Sequence, residues 1–268
     1  MLDIGCGEGF ESLRLAGRDR WVLGVDRDGG AVTAARRLGG DPPSNGDPPS
    51  HGDPPSHGDP PSNGDPPSGG DRAQLRVAQM DALALGVADG TFDAVCSSHL
   101  IEHFNDPAPH AAEVARAVAD DGTAFFLTPN APCDFENPFH LHLFEPNELG
   151  RLLGRYFEDV WVGGVDGSAR VKADFSARRA KAQRVLRLDV LDLRHRMPRR
   201  WYVWLYTRLL PLAYRLVARG DTGGATGITA DDWFVTDDVD ATTLVLFAVC
   251  RAPRRDIGAA EGRRWRAT

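Results

Sequence analysis

The sequence predicts an α/β domain built on a doubly wound, largely parallel sheet, and three features carry that expectation. Short apolar runs alternate with amphipathic stretches, a glycine-rich turn follows the first run directly, and 268 residues with 42% hydrophobic and 26% charged content can bury one sizeable core. In order, Leu2–Ile4 reads as a strand, Glu11–Leu15 as a helix, Trp21–Val25 as a strand and Ala31–Leu38 as a helix. Gln74–Gln79 and Phe92–Ser97 are the next strands, Ala111–Val118 a helix, and Gly122–Leu127 (GTAFFL) a fifth strand closed by Thr128-Pro129-Asn130. Glu145-Pro146-Asn147-Glu148 starts another helix, with proline in the first turn where its missing N–H costs nothing, and leads to a strand near Val160–Val162. Leu244–Cys250 (LVLFAVC) is the seventh strand. Such alternation puts helices on both faces of the sheet and ligands at the carboxyl ends of the strands.

Two stretches interrupt this core. Residues 40–69 repeat one hexapeptide five times (GDPPSN, GDPPSH, GDPPSH, GDPPSN, GDPPSG), with no apolar residue beyond proline. Nothing there can build a core, so residues 40–70 are expected to form a solvated, disordered excursion. Its His51 and His57 sit in a tract too flexible to bind metal tightly, and no metal site is expected. The organisation read from the chain is a core over 1–165, a helical insert over 166–225, a return to the sheet over 226–254 and a flexible tail over 255–268.

Composition excludes several classes. The formal charge is -7, and setting aside the five aspartates of the repeat leaves -2, which opposes nucleic-acid binding through bulk positive charge. Cys6, Cys96, Cys133 and Cys250 are far apart, with neither zinc-type spacing nor a disulfide framework, so a reducing cytoplasm is the expected location. No basic leader followed by an apolar core opens the sequence, and no apolar run reaches the roughly 18 residues of a spanning helix.

The chemistry is concentrated in the loops after the strands. Asp3-Ile4-Gly5-Cys6-Gly7-Glu8-Gly9 follows the first strand, with glycines at two-residue spacing that admit a ligand close to the backbone. It is not G-x-G-x-x-G, because Phe10 stands at the third glycine position, which opposes a dinucleotide oxidoreductase. The carboxylate of Asp3 can accept from an ammonium or from loop amides. Asp26 ends the second strand 17 residues after Gly9, where a carboxylate accepts ribose hydroxyls, and Asp81-Ala82 follows the third strand, placed to meet an adenine ring. Three loops thus converge on one adenosine.

These residues resemble the class I S-adenosylmethionine-dependent methyltransferases of the small-molecule type. DIGCGEG, the GVD strand end, the block from Asp81 to His103 (D-A-L-x-L, D-G-T-F-D-A-V, E-H), GTAFFLTPN and NPFHLHLFEPNEL all look like segments of that family, over residues 1–165 and the last strand. The resemblance implies a Rossmann-like seven-stranded sheet of order 3-2-1-4-5-7-6 and S-adenosylmethionine as cofactor. It assigns Asp3, Gly5, Cys6, Gly7 and Gly9 to the methionine end, Asp26 and Arg27 to the ribose, Asp81 and Ala82 to the adenine, and Ser98 and His99 to the cofactor's flank. The family carries a covering helix before the first strand, whereas this sequence opens at Met1 inside it; the expectation is a coding start farther upstream, the other reading being a more open pocket.

A sulfonium methyl donor is already activated, so the protein mainly orients donor and acceptor, and a general base is optional. For an oxygen acceptor an imidazole suits, and the candidates are His99, His103, His140 and His142, with His140 and His103 placed first. His103 could equally be a helix residue bonded to backbone, and His140 and His142 ordinary loop residues. The loop Ser97-Ser98-His99-Leu100 lacks the Asn/Asp-Pro-Pro-aromatic sequence of nucleic-acid and glutamine N-methyltransferases. The segment Arg199–Arg219 is amphipathic and reads as a lid helix, an interfacial helix giving peripheral membrane contact, or a dimer contact. The expectation is O-methylation of a small, partly apolar acceptor, with a non-catalytic binding protein of the same fold, or a protein or RNA methyltransferase, as alternatives.

Overall fold

The computed structural model describes residues 1–17, 19–39, 74–134, 139–186 and 227–255. The repeat at 40–70, the amphipathic segment Arg199–Arg219 and all but the first residue of the 255–268 tail lie outside the described residues. The elements run β1 (Leu2–Ile4), α1 (Phe10–Leu15), β2 (Val22–Asp26), α2 (Gly29–Leu38), β3 (Leu75–Gln79), β4 (Phe92–Ser98), α3 (Ala108–Ala117), β5 (Val118–Pro129), α4 (Pro146–Leu153), β6 (Phe157–Gly167), α5 (Ala169–Leu186), β7 (Trp233–Thr236) and β8 (Val245–Pro253).

The strands form one sheet in the order β3-β2-β1-β4-β5-β8-β6-β7. β3, β2, β1, β4 and β5 are parallel, and β8 inserts antiparallel between β5 and β6. The seven expected strands therefore form in the expected order, with β6 and β8 as sixth and seventh. The sheet carries one more strand than the sequence predicted. β7 adds antiparallel to β6 at the edge, pairing Val165 with Val235 and Gly167 with Trp233. Its run WFVT stands between aspartate pairs and leaves Phe234 and Val235 at least half exposed, so it lacks the alternation that marks a half-buried strand.

Leu2, Ile4, Val25 and Val95 are buried on the central strands, and Phe126, Leu246 and Ala248 continue the core across β5 and β8. Burying each large aliphatic or aromatic side chain stabilises the fold by about 1.5–3 kcal/mol. Two arginines fix what the core does not. Arg255, just past β8, donates to the carbonyls of Ala115 (2.8 Å) and Val118 (2.7 Å), satisfying the carboxyl end of α3. Arg116 on α3 donates to the carbonyls of Leu85 (2.9 Å) and Val87 (2.7 Å) and pairs with Glu113 and Asp89, clamping the segment after β3 against α3.

Candidate active site

Because five adjacent strands are parallel, the segments after β1 to β5 open at the same end of the sheet. The first loop is set by its main chain. Gly5 and Cys6 N–H groups donate to Val25 O at 2.8 and 3.1 Å, and Gly9 N–H donates to Cys6 O at 2.9 Å. Gly9 needs to be glycine twice over: its φ is 83°, and a Cβ there would stand 2.8 Å from the Ala35 Cβ of α2. Gly7, at φ 51°, has nothing within 4 Å of its Cβ position, which leaves room for a ligand against the backbone.

Asp3 is buried and accepts a hydrogen bond from the Ser12 hydroxyl of α1. Burial pushes its carboxyl above the ordinary range, Ser12 opposes this, and the charges of Glu11 and Asp26 add to it. Of the two expected partners, the loop amides of Gly5, Cys6, Gly7 and Gly9 go elsewhere, because Val25, Cys6 and Asp26 offer nearer acceptors. Burial, with the negative charges of Asp3 and Asp26, holds the Cys6 thiol up at about 12, so it is no nucleophile.

Asp26 joins the first two loops. Its Oδ2 accepts from Gly7 N–H at 2.9 Å and its Oδ1 from Asp28 N–H at 2.8 Å. A carboxylate has about four acceptor positions, so both oxygens keep capacity for a ligand hydroxyl. Arg27 is exposed beside it, its carbonyl accepting from Gln79 Nε2 at 2.9 Å. Asp81 is exposed and accepts from Leu83 N–H at 2.9 Å in a tight turn. The Ala82 carbonyl accepts from His110 Nδ1 at 3.1 Å, while His110 Nε2 receives the Ser97 hydroxyl at 2.8 Å. His110 thereby ties the loop after β3 to the end of β4. Burial lowers its pKa to about 4, despite opposing contributions from the Ala82 contact, Glu113 and Glu102, and the ring is neutral. Sequence reading passed over His110, whose burial on α3 is a tertiary fact.

Ser98 ends β4, and His99 follows with φ 49°, an uncommon conformation for a residue with a side chain. His99 is exposed, and the adjacent Leu100 packs over Gly5, so the loop after β4 leans on the first loop.

The other predicted histidines gather farther along the same end. His140 Nδ1 lies 2.6 Å from Oδ1 of buried Asp134, and the His103 and His140 rings meet edge-on with centroids 5.1 Å apart. His103 Nδ1 contacts the Phe139 carbonyl at 3.0 Å, the backbone contact that was one reading of it. Glu102, at the centre of a short 3-10 turn, is fully buried and accepts from Thr128 Oγ1 at 3.1 Å. Burial raises its pKa, but contacts with His99, its own backbone and the charge of His103 outweigh this and hold it below the usual range. The His142 ring faces Glu148 of α4 at 2.9 Å, while its backbone N–H donates to the Glu102 carbonyl at 3.1 Å. Asp134 and the burial of Glu102 were missed in the sequence; the E-H pair was the available signal.

Comparison with known proteins fixes the family. A family model described as a methyltransferase domain matches residues 1–162. The chain belongs to the methyltransferase family. Two Mycobacterium tuberculosis proteins, from strains CDC 1551 and H37Rv and both named as probable S-adenosylmethionine-dependent methyltransferases, are each 27% identical to this methyltransferase over 186 residues. The match covers 66% of this chain and 55% of theirs, so the chain spans about half the length of these curated relatives. A Thermotoga maritima structure, named as a S-adenosylmethionine-dependent methyltransferase and possible histamine N-methyltransferase, superposes with a TM-score of 0.50 at 13% identity, over 93% of this chain and 80% of that one. That likeness concerns the fold. The site of this methyltransferase fits an adenosine-bearing cofactor on its own terms: open space over Gly7, acceptor capacity on Asp26, and a loop at Asp81-Ala82 held in place by His110.

Proposed function

We propose that this methyltransferase transfers a methyl group from S-adenosylmethionine to an oxygen of a small, partly apolar acceptor. When bound, the cofactor supplies a methyl group on a positively charged sulfur, which needs no further activation. Asp3, Gly5, Cys6, Gly7 and Gly9 would line its methionine end, Asp26 and Arg27 the ribose, Asp81 and Ala82 the adenine, with Ser98 and His99 alongside. The backbone near Gly7 lets the cofactor approach closely, and the buried negative charge of Asp3 favours a cationic group nearby.

The observation that carries the oxygen reading is the His140–Asp134 pair. Asp134 accepts the Nδ1 proton at 2.6 Å, which fixes the ring and stabilises the imidazolium that forms when it takes a hydroxyl proton. A panel of small phenols and alcohols, each beside its matched amine, tests this with a labelled methyl donor. Hydroxyl acceptors should react, and His140→Ala should lower kcat about 100-fold or more while leaving affinity for S-adenosylhomocysteine unchanged. Exclusive methylation of the amines, or full kcat in the variant, would contradict it.

A further inference from the structure

Glu102, His103 and His140 are drawn together on the acceptor side, and one ligand atom from each lies within 4.8 Å of the others. Two independent observations point to something held between them. Glu102 is fully buried, yet its Oε1 makes no hydrogen bond among the described residues and has there only the 3.5 Å ion-pair contact of exposed His99 Nδ1. A buried polar atom left so is destabilising unless a ligand satisfies it. In addition, both imidazoles are oriented through Nδ1, His103 by the Phe139 carbonyl at 3.0 Å and His140 by Asp134 at 2.6 Å. A carbonyl or carboxylate on Nδ1–H sets the tautomer with an unprotonated Nε2, which is how outer partners orient metal-binding histidines.

We propose that Glu102, His103 and His140 bind one divalent transition-metal cation of the Zn²⁺ or Mn²⁺ type. Two imidazoles and one carboxylate make a borderline donor set, which suits such ions better than the all-oxygen surroundings of Ca²⁺ or Mg²⁺. Ligand atoms on one tetrahedral ion stand about 3.4 Å apart at metal–nitrogen distances near 2.1 Å, so side-chain shifts of about 1 Å close the site. Three protein ligands leave a position for an oxygen of the acceptor. Occupancy of the site does not rest on the transfer reading: His140 is the base of that reading in the cation-free protein and a ligand once the cation is bound.

The test uses the full chain, stripped with chelator and titrated calorimetrically with ZnCl₂ and MnCl₂. One cation per chain is expected. Glu102→Gln, which keeps the shape of the side chain, and His103→Asn should each weaken binding at least tenfold, while His142→Asn and the double variant His51→Asn/His57→Asn should not. No stoichiometric binding, or binding that survives the first two variants or disappears with the last, overturns the site. Titrating the same samples with S-adenosylhomocysteine separates the two ideas: cofactor binding without the cation removes only the cation site, and the cation without cofactor removes only the transfer reading.

Discussion

At the cofactor end of the site, loops are tied by main-chain hydrogen bonds and by Asp26 and His110, whereas at the acceptor end ionisable side chains hold one another. The loop from Gly5 to Gly9 bonds to Val25, Cys6 and Asp26, and the Ala82 carbonyl is pinned by His110. Across the sheet end, His140 pairs with Asp134, His103 meets His140 edge-on, and Glu102 keeps one oxygen unsatisfied. The first arrangement makes a rigid cradle whose form depends on backbone conformation. The second makes a polarised cluster whose form depends on charge, and its behaviour changes with what it binds.

Substitutions that separate these two kinds of order sharpen the contrast. The largest effect on stability is expected at Gly9. Gly9→Ala adds a side chain at φ 83° and 2.8 Å from Ala35, combining about 1–2 kcal/mol of backbone strain with about 1–3 kcal/mol of overpacking. Urea denaturation should show a loss of about 4 kcal/mol, and a loss under 1 kcal/mol would mean the cradle is not rigid.

Next comes a pH effect at His110. Folding holds it at about 4, below its ordinary 6.5, so between these values the unfolded chain carries a proton that the folded chain does not. Stability from this residue is full above pH 6.5 and falls as pH drops toward 4, by about 3 kcal/mol. Denaturation midpoints at pH 7 and pH 5, compared with those of His110→Asn, should show a smaller acid loss in the variant. Equal losses would deny His110 its neutral, buried role. The smallest effect is expected at His142, whose partner Glu148 is 44% exposed: His142→Asn should cost under about 1 kcal/mol and spare turnover, unlike His140→Ala.

The same contrast explains what could be read from the sequence. β1 to β5 were legible because apolar runs alternate with helices and because DIGCGEG places its glycines beside a strand end, whereas the order of the sheet followed from the resemblance to the methyltransferase family. β6 was seen only at Val160–Val162, since Gly163, Gly164, Asp166 and Gly167 break the apolar pattern that the strand in fact continues through. β7 escaped because WFVT sits among aspartates at an edge, where pairing with Val165 rather than burial makes it a strand. In the candidate site, the positions of Asp26 at the end of β2 and Asp81 after β3 were legible. Ser12 on Asp3, His110 on Ala82 and the burial of Glu102 could not, because each depends on which face of a helix or turn meets the sheet.

The most direct test of the cofactor cradle is calorimetric titration of the full chain with S-adenosylhomocysteine beside an Asp26→Ala control. Losing hydrogen bonds to a carboxylate corresponds to about 1.5–3 kcal/mol, so the account predicts saturable binding that the substitution weakens about 10- to 100-fold. Absence of binding to the unsubstituted chain, or equal affinity in the two proteins, would contradict it.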